Sequence, residues 1–168
     1  MDKTVGRAFK PPHALVIALL LLFPALLVAQ TLDDFDRIVD FGIALKELHV
    51  AASAGTITTT PDSFFIIDGA VASRRVVQSD RESFLGELEL VNGEWVGVEE
   101  VLLYRCIVQL VGPEFFEAIP ARRSRRANPA EIALNTRLLI VGKLTELRIL
   151  ENGQAIPVLQ AYYIRTLN

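Results

Sequence analysis

The chain has 168 residues, 51% of them hydrophobic, with 17 Lys and Arg against 20 Asp and Glu and a formal net charge of −3. This composition excludes a disordered polyelectrolyte, which is poorer in apolar residues, and a histone-like polycation. A single cysteine excludes a secreted mini-protein stapled by disulfides.

The first element is an apolar run. Ala14 to Ala29 reads ALVIALLLLFPALLVA, 16 residues without a charge, behind Lys3, Arg7 and Lys10. A basic start, a short apolar middle and a small residue near the end form a secretory leader that is removed after translocation. A spanning helix needs about 20 apolar residues, and Pro24 weakens this one further. Residues 1–29 are therefore expected to be a signal peptide cleaved between Ala29 and Gln30, with Leu27 as the weak point of the cleavage box. The alternative keeps the leader as an amino-terminal anchor in the inner membrane, with Arg7 and Lys10 on the cytoplasmic side. Export makes the product periplasmic or secreted. The remaining 139 residues carry 14 basic and 19 acidic side chains, a mildly acidic balance.

Residues 30–63 read as an amphipathic helix from Thr31 to about Ala52, followed by a loop. Thr31 caps it, and Asp33, Asp34 and Asp36 sit where the helix dipole favours negative charge. Leu32, Phe35, Ile38, Val39, Leu45 and Leu48 form its apolar side, although Gly42 and the alternation Phe41-Ile43-Leu45 keep a strand open as the alternative. His49, on this helix, reads as a partly exposed surface residue. The loop follows from Gly55, the threonines and Pro61.

From Phe64 the period changes to two. Phe64 to Val77 is a strand bent at Gly69, and Phe84 to Val91 is a second. Asn92-Gly93 is the hairpin turn to a third, Glu94 to Val111, because Asn-Gly tolerates the positive φ of a type I′ turn. In the third strand Leu102, Tyr104, Cys106, Val108 and Leu110 share one face, so Cys106 reads as a core thiol. Gly112 to Asn135 holds three prolines and the run Arg122-Arg123-Ser124-Arg125-Arg126, and Pro129 suits the first turn of a short helix through Leu134. Asn152-Gly153 joins a fourth strand, Thr136 to Leu150, to a fifth, Ile156 to Arg165. Pro157 pushes one end of the last strand toward an edge.

Three strands, a partly helical connection and two more strands is the order of the OB-fold. The chain resembles an OB-fold domain over roughly residues 64–168, through Gly69-Ala70-Val71-Ala72, Leu88-Glu89-Leu90-Val91, Val101 to Val111, Leu139-Ile140-Val141-Gly142-Lys143-Leu144 and Ile156-Pro157-Val158-Leu159-Gln160-Ala161. The resemblance implies a mainly β domain, a five-stranded barrel with an amino-terminal helix, in which mid-strand Gly69 and Gly142 supply the bends. A small β-sandwich or an open α+β sheet is the alternative. It also implies a binding face on strands two and three, which here would include Trp95, Arg105 and Gln109.

For chemistry the sequence offers little. The arginine run Arg122, Arg123, Arg125 and Arg126 is the one concentrated charge, suited to phosphates, an acidic partner or lipid headgroups, or simply a solvated connection open to proteolysis. No zinc spacing, Gly-x-Ser-x-Gly elbow or phosphate-cradling glycine pattern is present, so no metal, cofactor or catalysis is expected. Tyr104, Tyr162 and Tyr163 read as core or cross-strand residues. With its acidic balance and thin aromatic supply, the domain is expected to bind a protein or envelope component rather than nucleic acid. The expected function is an exported, non-catalytic binding or scaffolding module of the envelope. An anchored accessory subunit and an acidic-site hydrolase are the alternatives.

Overall fold

The computed structural model describes residues 39–57, 63–120 and 128–167. In chain order these form β1 (Val39–Asp40), α1 (Leu45–Ser53), β2 (Phe64–Gln78), β3 (Leu85–Val96), β4 (Glu100–Val111), a 3-10 turn (Pro113–Phe115), β5 (Arg137–Ile149) and β6 (Ala155–Leu167). The leader, with Ala29 and Gln30, and the run Arg122 to Arg126 lie outside the described residues.

The sheet runs β1-β2-β3-β4-β6-β5, and β5 pairs back onto β2. Five strands thus make a closed ring in the OB order, and the open-sheet and sandwich alternatives fall away. Closure depends on β2 changing partners partway along. Phe64 to Ala70 pair antiparallel with Lys143 to Arg137 of β5, whereas Ala70 to Gln78 pair with Val91 to Leu85 of β3. The register slips between Val71 and Ser73, and the free side of Val71 is taken up by Thr136 and Asn135 at 3.0 and 2.8 Å. A bulge here lets one strand serve two sheet directions. The ring's other seam is short and parallel, Ile107 to Gln109 against Val158 to Gln160. Pro157, which has no N–H to donate, sits just before that seam and faces Leu147 of β5.

Alternation fills the interior. Phe65, Ile67 and Val71 of β2, Leu88 and Leu90 of β3, Cys106, Val108 and Leu110 of β4, Leu138 and Ile140 of β5, and Leu159 of β6 are all at most 1% exposed. Cys106 is the expected core thiol, and burial pushes its pKa up, so it stays protonated. Leu45 and Leu48 of α1 join this core, with Leu45 beneath Gly69, while Phe84, Ala118, Ile119 and Ile132 join it beyond the other strand ends. Gly142 stands at a register shift, where an added Cβ would lie 2.7 Å from the Gln160 carbonyl oxygen. The glycine is needed for that close approach, at the position where the sequence suggests a bend.

Several expectations are corrected. The helix covers only Leu45–Ser53, and Val39–Asp40 pair instead as a strand parallel to Phe64 and Phe65. The alternation Phe41-Ile43-Leu45 does not make the alternative strand either, since Phe41 and Ile43 lie in the connection and Leu45 opens the helix; residues 31–38 are outside the described set. Asn92-Gly93 is not a turn. Asn92 and Gly93 pair with Tyr104 and Leu103 in mid-ladder, and the chain reverses at residues 97–99, where Gly97 takes φ 65°. Period-two alternation runs past the Asn-Gly signal because another glycine, four residues on, serves the turn as well. Asn152-Gly153 does turn, with Gly153 at φ 81° and Asn152 Oδ1 accepting from the Gln154 amide at 3.0 Å. Pro129 to Leu134 forms turns, not a helix; Asn128 Oδ1 and its carbonyl accept from Ala130 and Glu131, and Ile132 donates to the Ala118 carbonyl, which spends the backbone groups a helix would use.

His49 is buried, not a surface residue, at 6% exposure. Its Nε2 lies 3.2 Å from the side-chain nitrogen of Gln154, which donates to it, leaving Nδ1–H to donate to the Arg105 carbonyl at 3.0 Å. The ring thereby links β4 to the residue that precedes β6. Tyr104 is buried as expected, but Tyr162 and Tyr163 are each about half exposed. Val141 pairs with Tyr163 and Gly142 with Ala161, so Tyr162 is the extra residue of a bulge and the alternation that predicts one inward tyrosine is broken. Replacing Gly142 by Ala should cost about 1–3 kcal/mol in urea unfolding through the clash with Gln160; wild-type stability would show that the strand can spread there.

Candidate functional site

The ladder between β3 and β4 has no slip, so alternate pairs share the outer face: Glu87 with Gln109, Glu89 with Ile107, Val91 with Arg105, Gly93 with Leu103, and Trp95 with Val101. Trp95, Arg105 and Gln109 therefore stand on one side of the sheet, as the OB resemblance implies. Spacing along the strand spreads them over about 27 Å from the Glu87 level to Trp95.

The face divides into two chemistries. At the hairpin end it is apolar and open. Trp95 is 67% exposed, Leu103 55% and Val101 40%. The side chains of Val101 and Leu103 close over Gly93, where an added Cβ would meet them at 3.2 and 3.6 Å. On the opposite side of the same hairpin, Glu94 accepts from Lys46 of α1 and from the Tyr104 hydroxyl at 2.8 Å. The Lys46 contact holds the Glu94 carboxyl below its usual pKa and Lys46 above its own. This braces the arm against the helix.

Toward the barrel the face is ionic. Glu87 is only 5% exposed although it points outward. Arg75 of β2 donates Nε and Nη2 to Oε2 at 2.8 and 2.6 Å, Arg148 of β5 donates Nη1 to Oε2 at 3.0 Å and Nη2 to Oε1 at 2.9 Å, and Gln109 donates to Oε1 at 3.4 Å. These bonds, that from Arg148 foremost, outweigh the desolvation of the carboxylate and bring its pKa down to about 2. Glu146 meets Arg148 from the solvent side at 3.2 Å. Glu89 accepts from Ser73 at 3.1 Å and pairs with Arg105 at 3.6 Å. Among the described residues no three His, Cys, Asp or Glu side chains gather where they could hold a metal ion.

Sequence reasoning found Trp95, Arg105 and Gln109 but missed Arg75, Arg148 and the weight of Glu87. The alternation Glu87-Glu89 marks both as outward-facing. Nothing in it shows that an arginine some 60 residues later closes over one of them. The four arginines of the connecting run lie outside the described residues.

No protein-family model and no curated protein matches the chain. Solved structures do resemble it. A small single-stranded DNA-binding protein from Streptomyces coelicolor is 12% identical with a TM-score of 0.41, over 62% of this chain and 93% of that one. The single-stranded DNA-binding protein of Plasmodium falciparum in complex with ssDNA is 10% identical, with a TM-score of 0.44 over 67% and 100%. A Leishmania major protein described as an aspartyl-tRNA synthetase is 10% identical, with a TM-score of 0.46; it is matched over 82% of this chain but a quarter of its own length. At this identity the likeness concerns the fold.

The comparisons correct the sequence-based functional expectation. Two of these three similar chains are described as single-stranded DNA-binding proteins, and none as an envelope scaffold. The expected envelope scaffolding module gives way, and so does the argument against a nucleic-acid partner. The physical fault lies in using net charge. Glu87, Glu89 and Glu94 are each engaged by Arg75 and Arg148, Arg105, and Lys46, so the face is not the bare acidic surface that a sum of charges suggests.

Because Glu87 has a lowered pKa in the folded chain, its contribution to stability is complete above the unfolded value of about 4.3 and is lost as pH falls toward about 2. Glu87→Gln should lower stability at neutral pH by about 1–3 kcal/mol, toward the smaller figure because Arg75 is largely solvent-exposed. It should also flatten the fall in urea-measured stability between neutral and strongly acidic pH; an unchanged acid profile would mean that the pair contributes nothing.

Proposed function

We propose that this protein is a non-catalytic binder of single-stranded nucleic acid, with the outer face of β3 and β4 as its contact surface. The observation that carries the reading is Trp95, a large aromatic side chain two-thirds exposed on the outer face of the strand that OB-folds use for oligonucleotides. Its neighbours Val101 and Leu103, themselves 40% and 55% exposed, extend an apolar surface on which a base can lie. Stacking of this kind tolerates any base, since every base has a π-face, and it does not require a net positive protein. Arg105, midway along the face and held by Glu89 at only 3.6 Å, supplies a guanidinium within reach of the backbone.

Trp95 is the only tryptophan of the chain, so intrinsic fluorescence reports on this position alone. Oligothymidylate should quench it saturably at low salt, duplex of the same length far less, and the affinity should weaken as salt rises. Trp95→Ala should reduce affinity about tenfold, the usual size of one stacked base, without changing the thermal midpoint. Unquenched fluorescence together with no retention of single strands at low salt would overturn the reading.

A further inference from the structure

The Arg75–Glu87–Arg148 cluster is more elaborate than holding a strand in place requires. Burying an ion pair in this way gains little net stability over an apolar contact of the same shape. It lies on the same face as Trp95, about 27 Å along β3, with Arg105 between them. One carboxylate receives five N–H donors from Arg75, Arg148 and Gln109. The donors converge on two oxygens that share a single negative charge. A phosphodiester presents the same pattern, two non-bridging oxygens and one charge, and forked guanidiniums recognise it in the same bidentate manner. Counting Glu146, the cluster is electrically neutral, and exchanging one oxyanion for another keeps it so. Access exists as well: the Arg75 side chain is 66% exposed and that of Arg148 29%.

Resting on the single-strand reading above, we propose that Arg75, Arg148 and Gln109 form a phosphate seat, which the Glu87 carboxylate occupies in the free protein and a backbone phosphate of the bound strand takes over. Glu87 then swings toward solvent. The seat makes the ionic half of the face useful to the ligand, and it makes binding weaker than the same arginines unmasked would give. Trp95 and the seat together span a length suited to the roughly 4–16 nucleotides that one OB domain covers.

The test is a set of anisotropy titrations of the full chain with oligothymidylate about 16 nucleotides long. Glu87→Gln, which leaves the arginines in place, should bind about fivefold or more tightly than wild type, and its salt dependence should steepen by about one unit in the logarithmic plot, as for one or two further phosphate contacts. Adding Arg148→Ala to Glu87→Gln should abolish the gain. Equal or weaker binding by a Glu87→Gln protein with wild-type circular dichroism would overturn the seat while the single-strand reading stood on wild-type binding and Trp95 quenching. Absence of binding by both proteins would overturn the two together. A readout in the wild type covers a failure of the variant to fold: the Glu87 carboxyl, followed by carbon NMR in the saturated complex, should titrate near the ordinary glutamate value of about 4.3, up from about 2 in the free protein. An unchanged titration would sink the proposal.

Discussion

Everything in this molecule depends on β2 pairing with two different strands. Its first half belongs to β5 and its second half to β3, and the slip at Ala72 between them turns what would be an open meander into a ring. Closure removes most free sheet edges, creates one interior lined by alternate residues of every strand, and fixes which residues face out. The outer face of β3 and β4 inherits its flatness and regularity from that constraint. Those two strands are paired without interruption over twelve positions, while the irregularities are placed on β2, β5 and β6.

The electrostatics of the face follow from the same geometry. A ring brings strands distant in sequence within side-chain reach, so Arg75 from β2 and Arg148 from β5 can meet on one glutamate of β3. Acidic residues on such a surface act as partners of particular cations rather than as a diffuse field. A net charge of −3 over the whole chain is therefore compatible with a face on which cations are held ready in defined positions.

The sequence carries the strand order, the β2 and β5 strand limits, the second hairpin turn and the buried Cys106 clearly, because each is a local or period-two signal. Asn92-Gly93 misleads, since turn propensity acts through a few residues whereas the ladder continues wherever both strands keep alternating; Glu94, Trp95 and Val96 do so. The long amino-terminal helix misleads because Val39 and Asp40 fit a strand edge as well as a helix, and only the position of Phe64 and Phe65 decides. Of the candidate site, Trp95, Arg105 and Gln109 are legible through their parity on strands two and three. Arg148 is not, since its approach to Glu87 depends on how the β5–β6 hairpin leans, and Tyr162 is not, since a bulge erases parity beyond it.

The brace between the β3–β4 arm and α1 has a mechanical meaning. Glu94 sits on the arm back to back with Trp95, and it is tied to Lys46 one residue from Leu45, which is part of the barrel core. The arm is thus one end of a lever whose other end rests in the core. The indole is connected through the ladder to Glu94, from there to the first turn of α1, and so to the packing under Gly69. The exposed and the most deeply buried parts of the molecule are in this way a few covalent and ionic links apart.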